Sequence, residues 1–300
     1  MREIPTVLGP HYHLHLYADY MDTTLGDIGY TPAQSGGVLS LLTASRGLFV
    51  IADASEPRDD RHRLLLARGL VRSGRLVVSI ERRVQYQDES LIQLELKQSA
   101  SESGEEEFRV VWRAALDMSP DVIVVDEVLS APQVAALLAG AASGVVIVLR
   151  MAGDRLAAAG AGMAEFGADR HALTRALLGG VERVVVRRLC PQCRVRSRLA
   201  AEEAAALGFK TDAAAARPAG CTRCRDGYSG RRAVYGLWHD GPELARALTA
   251  GPNERYSSAS GEQDFEEAVR GAVVDGEVAA ADAVALLCIR RSDDSVTDLA

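Results

Sequence analysis

The sequence predicts an α/β protein with a mainly parallel sheet, joined to a small tetracysteine subdomain and closed by C-terminal helices. Two observations carry this prediction. Short branched apolar runs at 47–52, 75–80, 121–126 and 145–149 alternate with stretches of helical composition, the order expected of parallel strands covered on both faces. Four of the five cysteines then fall in two Cys-x-x-Cys pairs, Cys190/Cys193 and Cys221/Cys224, with 27 residues between them.

Bulk properties set the outer limits. A length of 300 residues allows one large domain or two, and 48% hydrophobic content suffices for a sizeable core. The net charge of −7 and pI near 5.5 argue against a general nucleic-acid binder, which would carry a basic domain or stripe. No apolar run approaches the ~18 residues of a membrane span, and Met1-Arg-Glu-Ile-Pro5 has no signal-peptide core. A cytoplasmic protein is expected, one that reaches a membrane only through partners.

Along the chain, 5–17 alternates apolar and polar residues like a half-buried strand, placing His11, His13 and His15 on one face. No carboxylate or cysteine neighbours them, so they read as the open face of a strand rather than a metal site. Helices are expected at 60–71, 108–117, 131–142 and 170–178. The polar, acidic stretch 99–107 reads as a solvated loop. Alanine runs near 157–162, 200–206 and 213–216 read as helix formers or compact linkers. After the second cysteine pair, Gly227-Tyr-Ser-Gly230-Arg231 reads as a glycine turn feeding a strand through Tyr235 to Trp238. Helices follow at 241–250 and 262–274, then an acidic-glycine turn from Asp275 and a last apolar helix ending near Cys288, a residue expected to be buried as a small hydrophobe. A frayed tail is expected at 292–300. The resulting division is a lead-in at 1–45, a core at 46–188, a tetracysteine subdomain at 189–238 and a helical segment at 239–300.

Two Cys-x-x-Cys turns suit one tetrahedral Zn²⁺, because each aims two sulfurs inward and the loop between them folds one pair onto the other. Disulfides fit poorly without a secretory signal. A redox pair would account for one motif and leave the other without a role. Structural zinc on Cys190, Cys193, Cys221 and Cys224 is therefore expected, with redox or unpaired thiols as the alternative. Arg194, Arg223 and Arg225 stand beside the sulfurs, where cations would offset the negative charge of a four-thiolate centre.

The combination Cys-Pro-x-Cys, a long spacer, Gly-Cys-x-x-Cys and Gly-Tyr-x-Gly-Arg leading to a tyrosine strand resembles the secretion ATPase family that powers type II secretion and type IV pilus assembly. Ile4-Pro-Thr-Val-Leu-Gly9 and Thr24-Leu-Gly26 are similar to that family's lead-in, so the resemblance covers nearly the whole chain. It implies a RecA-like core of the P-loop-NTPase type, assembly as hexameric rings, and an inner-membrane platform protein as partner. Most of the family's N-terminal region, with its docking domain, has no counterpart in these residues.

The catalytic motifs that the resemblance implies are eroded. A P-loop needs glycines for close backbone approach to phosphates, a lysine and a hydroxyl. At that position stand Asp53, Glu56, Pro57, Arg58, Asp59 and Asp60, and carboxylates facing a triphosphate repel it. The family's acidic box, Glu-Asp-Pro-Val-Glu, is similar to Glu81-Arg82-Arg83-Val84-Gln85. Glu81 survives, but glutamine cannot act as a base. The Walker-B-like strand keeps Asp126 and Glu127, while Val145 and Ala152 occupy the two histidine-box positions. Glu81, Asp126 and Glu127 are left as vestigial candidates.

The expectation is a catalytically degenerate family member that binds neither ATP nor Mg²⁺ and acts as a zinc-stabilised scaffold or regulatory subunit. It would pair with an active paralogue or the platform protein, within a homo- or hetero-hexamer. The alternative is a divergent ATPase, with Asp126 and Glu127 holding Mg²⁺ and Arg58, Arg61 and Arg63 facing phosphate. A nucleic-acid role for the arginines around the cysteines is set aside by the acidic balance and the 5% aromatic content.

Overall fold

The computed structural model describes residues 2–6, 9–13, 23–44, 46–53, 61–97, 102–127, 130–153, 155–210, 212–239 and 260–293. At the front, β1 (Arg2–Thr6) and β2 (Gly9–His13) form an antiparallel hairpin with Pro5 opposite Pro10. The single strand expected over 5–17 is thus two strands. A glycine followed by proline favours a chain reversal over a continuous ladder. His15 lies outside the described residues.

The core follows as α1 (Pro32–Ala44), β3 (Gly47–Asp53), α2 (Arg61–Arg72), β4 (Val77–Glu81), β5 (Ile92–Glu95), α3 (Glu102–Asp117), β6 (Val122–Val125), α4 (Ala131–Ala142), β7 (Val146–Ala152), α5 (Leu156–Glu165), α6 (Arg170–Ala176) and β8 (Leu177–Leu189). The cysteine-bearing stretch adds β9 (Val195–Arg198), α7 (Ala201–Ala206) and β10 (Ala214–Arg217). The chain then returns through β11 (Tyr228–Trp238) to α8 (Ser260–Val274) and α9 (Ala280–Asp293).

One seven-stranded sheet carries the order β5-β4-β6-β7-β3-β8-β11. Every neighbouring pair is parallel except β8 with β11. Leu48, Val50 and Ala52 of β3 face one layer, with Phe108 and Trp112 of α3, Leu137 of α4 and Leu156 of α5. Phe49 and Ile51 face the other, with Val38 and Leu42 of α1 and Leu64 to Leu70 of α2. Burial on both faces explains why these strands read as unbroken apolar runs rather than alternating ones. The RecA-like α/β expectation holds, with all four anticipated strands present.

Several boundaries move for identifiable reasons. The stretch 102–107, expected as solvated loop, forms the first turns of α3, where carboxylates suit the positive helix end; the Lys97 N–H donates to Glu107 Oε1 at 3.0 Å. The alanines of β10 form a strand rather than a helix or linker, because they pair with β9. Cys288 is exposed, not buried: Ala283 and Leu287 take the inward positions of α9. That helix runs to Asp293, so the tail begins later than 292. The helix expected at 241–250 lies outside the described residues. Also unanticipated were α1 with its internal Gly36-Gly37, the four-residue, half-exposed β5, the long strand β8 and the short β9.

The helix expected over 170–178 ends at Ala176, and Leu177 opens β8. Here the strand needs glycine. A Cβ on Gly179 would lie 2.3 Å from the Trp238 carbonyl oxygen, and one on Gly180 would meet Leu156 and the Val50 carbonyl at under 3.0 Å. Gly179→Ala is expected to cost about 1–3 kcal/mol through overpacking, lowering the melting midpoint by roughly 5 °C. An unshifted thermal melt would contradict so close a β8–β11 approach.

Residues of α8 and α9, among them Phe265, Val269, Val273 and Leu287, share a third apolar cluster with Leu199, Leu207 and Ala215 of the cysteine-bearing stretch and Val234 of β11. The C-terminal helices therefore cover the outer face of the β8–β11 pair.

Candidate functional site

In open parallel α/β sheets, ligands bind beyond the carboxyl ends of the strands. Here that edge carries Asp53 on β3, Glu81 on β4, Asp126 and Glu127 just after β6, Arg150 on β7 and Arg183 on β8. The ladder registers set Asp53 beside Arg183 and Ala152, and run Ile80, Val125 and Leu149 side by side one residue earlier. Glu81, Asp126 and Arg150 are therefore neighbours. The result is a row of charges across the sheet, which in strand order runs acid, acid, base, acid, base.

Each acid in the row is engaged by an arginine. Arg183 Nη1 donates to both carboxylate oxygens of Asp53, at 3.1 and 3.0 Å, with both side chains buried. Glu81 accepts from Arg63 Nη2 at 2.9 Å, Ser79 Oγ at 2.7 Å and Gln93 Nε2 at 2.9 Å. Arg150 Nε donates to Asp126 Oδ1 at 3.1 Å. Arg82 Nη1 reaches Glu127 Oε2 at 2.9 Å, but this pair is 41% and 25% exposed. Glu182, also buried, caps helix α5 by accepting the Leu156 N–H at 2.9 Å, a role Arg155 at the helix start does not fill with its side chain.

The sequence placed Glu81, Asp126 and Glu127 at one edge and missed Arg150, the partner of Asp126, and Arg183, the partner of Asp53. A single arginine inside an apolar strand, as in Val-Leu-Arg150-Met or Val-Glu-Arg183-Val, was the available signal, because an arginine there must find a carboxylate. Arg63, considered as a phosphate contact, is buried against Glu81. Ala152 ends β7 beside Asp53, and Val145 packs partly into the core. Glu56, Arg58, Asp59 and Asp60 lie outside the described residues. A small cavity lined by Arg63, Ser79, Glu81, Tyr86 and Val124 has room for about one water.

The second site is built by two short ladders. The β9–β10 register sets Val195 opposite Arg217, bringing the residues after Cys193 against those before Cys221. On the other side, Leu189 lies opposite Tyr228 and the Cys190 N–H donates to the Gly227 carbonyl at 2.8 Å. Asp226 and Gly227 turn the chain at φ of 52° and 86°, and a Cβ on Gly227 would sit 2.4 Å from Pro218 Cβ.

Cys190, Cys193, Cys221 and Cys224 meet with their sulfurs within 4.8 Å of one another. The Cys190–Cys221, Cys193–Cys224 and Cys221–Cys224 sulfurs are 4.0, 3.7 and 3.5 Å apart. A tetrahedron with metal–sulfur bonds of about 2.3 Å has edges of about 3.8 Å, whereas a disulfide needs about 2.05 Å. The four residues fit a tetrathiolate metal centre.

The sulfurs perturb one another's acidity. Against desolvation, hydrogen bonds from the Cys221 backbone and thiol and from the Gly227 backbone hold Cys224 down at about 7. The Arg223 N–H favours the Cys221 thiolate, but hydrogen bonds with the neighbouring thiols and desolvation outweigh it and push that thiol up to about 11. A cation among them removes the conflict by stabilising every thiolate at once. Arg194, expected beside the sulfurs, instead donates to the Asp275 and Gly276 carbonyls at 3.3 and 2.6 Å. Arg223 and Arg225 are exposed.

Comparison with known proteins matches residues 1–285 to the family model described as "Type II/IV secretion system protein". The chain is 24% identical over 254 residues to the type IV pilus assembly ATPase PilB of Thermus thermophilus, covering 83% of this chain and 28% of that protein. It is 23% identical over 228 residues to the type II secretion system protein E of Klebsiella pneumoniae, covering 76% and 45%. The chain thus spans less than half of either relative. Among solved structures, the ATPase DotB of Yersinia pseudotuberculosis superposes with a TM-score of 0.56 at 13% identity, over 88% of this chain and 62% of that one. The pilus retraction motor PilT with bound ADP gives 0.55 at 14%, over 87% and 65%. These structures share the fold.

Proposed function

The chain belongs to the type II/IV secretion system protein family, and on that premise we propose that it is a catalytically degenerate member: a zinc-stabilised scaffold or regulatory subunit of a type II secretion or type IV pilus type machine. The observation that carries the proposal is the charge row. Mg²⁺ and phosphate bind where carboxylates and cations are open to them, and here the acids are engaged by the chain's own arginines. Freeing Asp53, Glu81 or Asp126 for a ligand would break a buried pair, at about 3–5 kcal/mol each. Glu81 already accepts three hydrogen bonds, which leaves it poorly placed to take a proton from water.

The natural partners of such a subunit are proteins: an active paralogue in a shared hexameric ring, or an inner-membrane platform protein. Among the described residues no helix is long and apolar enough to cross a membrane, so the proposed position is the cytoplasmic face, reached through partners. The four cysteines hold zinc in a structural role. With four sulfurs no position is left for substrate. Nucleic acid is not among the proposed partners.

One observation favours a second reading, a divergent ATPase. The Arg82–Glu127 pair is exposed, and such pairs contribute about 0–1 kcal/mol. Glu127 is therefore the acid in the row most cheaply diverted to Mg²⁺.

Thermal melting and steady-state hydrolysis at millimolar ATP and Mg²⁺ separate the two. A ligand at a hundred times its Kd stabilises by about 2.7 kcal/mol, equivalent to roughly 5–10 °C. The degenerate reading expects a shift below about 1 °C and no turnover. A shift of about 5 °C or more that disappears in Glu127→Gln would install the divergent ATPase instead. Affinity capture that recovers no secretion or pilus component would remove the scaffold role.

A further inference from the structure

The four sulfurs do not share one environment. Cys190 is buried, Cys193 and Cys224 are half-buried, and Cys221 is exposed. The segments they organise grip the turn between α8 and α9. Arg194 donates to the Asp275 and Gly276 carbonyls, and the Leu189 N–H donates to the Glu277 carbonyl at 2.8 Å. Arg188 Nη2 reaches Glu277 Oε1 at 2.6 Å, and Arg232 pairs with the other oxygen. Beneath them Ala279 packs on Leu189 and Ala216. Leu189 and Arg194 each adjoin a metal-site cysteine, so the knuckles set the position of two of the contacts that hold the helix pair.

We propose that the Cys221–Cys224 pair is a thiol-oxidation switch: a peroxide oxidises it to a disulfide, the metal leaves, and the α8–α9 pair is released from the β8–β11 surface. The Cys221 thiolate attacks a peroxide oxygen, forming a sulfenic acid and expelling hydroxide. The Cys224 thiolate, its sulfur 3.5 Å away, then displaces hydroxide from that sulfur and closes the S–S bond. In sum, two thiolates, one hydrogen peroxide and two protons give one disulfide and two waters. Zn²⁺, left with only Cys190 and Cys193, dissociates. While they ligate the metal all four sulfurs are thiolates, and Cys221, the most exposed of them, is the one oxidised first.

The proposal rests on the zinc reading, and one experiment keeps the two apart. The zinc-loaded full chain is treated with one equivalent of hydrogen peroxide. Released metal is followed with a chromogenic chelator, the disulfide by peptide mass spectrometry, and amide exchange across 260–293 against that of β3 and β7. The expected result is one zinc released per Cys221–Cys224 disulfide and exchange across 260–293 faster by roughly tenfold or more. β3 and β7 should stay unchanged, and a phosphine reductant with added zinc should reverse the effect. Cys288→Ser should respond identically, since that exposed thiol lies outside the metal site. Zinc retained under peroxide, zinc lost without a change in exchange, or a response abolished by Cys288→Ser would each overturn the switch. A chain that holds no metal at all overturns the zinc reading instead.

Discussion

Replacing Cys193 or Cys224 by serine is expected to abolish metal binding and lower the melting midpoint by about 10 °C. Structural zinc contributes about 10–16 kcal/mol of apparent binding free energy in isolated finger peptides at neutral pH. Only part of that should appear here, because the cluster of Phe265, Val269, Leu199 and Leu207 also holds the subdomain. A loss of roughly 3–5 kcal/mol corresponds to about 10 °C at 2–4 °C per kcal/mol. Elemental analysis should give about one zinc per wild-type chain and almost none for either variant. Should the variants fail to fold, chelator treatment of the wild type and recovery on zinc addition test the same point. Because zinc binds thiolates and displaces their protons, the stabilisation should weaken as the pH is lowered. A wild-type chain free of metal, or variants that melt normally, would refute the structural-metal assignment.

Asp53→Ala is expected to destabilise the protein by about 3–5 kcal/mol, because it removes the carboxylate that accepts both hydrogen bonds from the buried Arg183 Nη1. The double variant Asp53→Leu with Arg183→Met should recover most of that loss, since two apolar side chains of similar size need no compensating charge. The sign matters as much as the size. Residues retained for catalysis tend to cost stability, and their removal is often neutral or stabilising. Loss of stability in Asp53→Ala, recovered in the double variant and measured by chemical denaturation, identifies the row as framework. A single variant as stable as wild type would reopen Asp53 as a functional group.

The core was legible because its strands are buried on both faces. A run such as Leu-Phe-Val-Ile at 48–51 has no other comfortable place. The cysteine centre was legible because four side chains of one chemistry appear at metal-ligand spacing. Less visible was anything decided by pairing across the chain. The alanines 214–216 have helical composition and become a strand only because β9 lies alongside. Cys288 sits in an apolar run, and only the packing phase of α9 shows that it faces outward. The candidate edge was half legible. Acids at strand ends could be read from the sequence, but that Arg63 comes from α2 and Arg183 from 130 residues beyond Asp53 could not, since sequence distance carries no trace of a register.

The charge row also has a history-like consequence: it acts as a ratchet. On the degenerate reading, placing a lysine and glycines after β3 would not by itself create a phosphate site while Arg183 holds Asp53. Removing Arg183 first would take from the buried Asp53 carboxylate the arginine that donates to both of its oxygens. Each single step back toward a nucleotide site therefore passes through a less stable protein, and only simultaneous changes avoid it. On the degenerate reading proposed above, the arginines that hold the edge together would have to be exchanged together with their acids before the position could take a nucleotide.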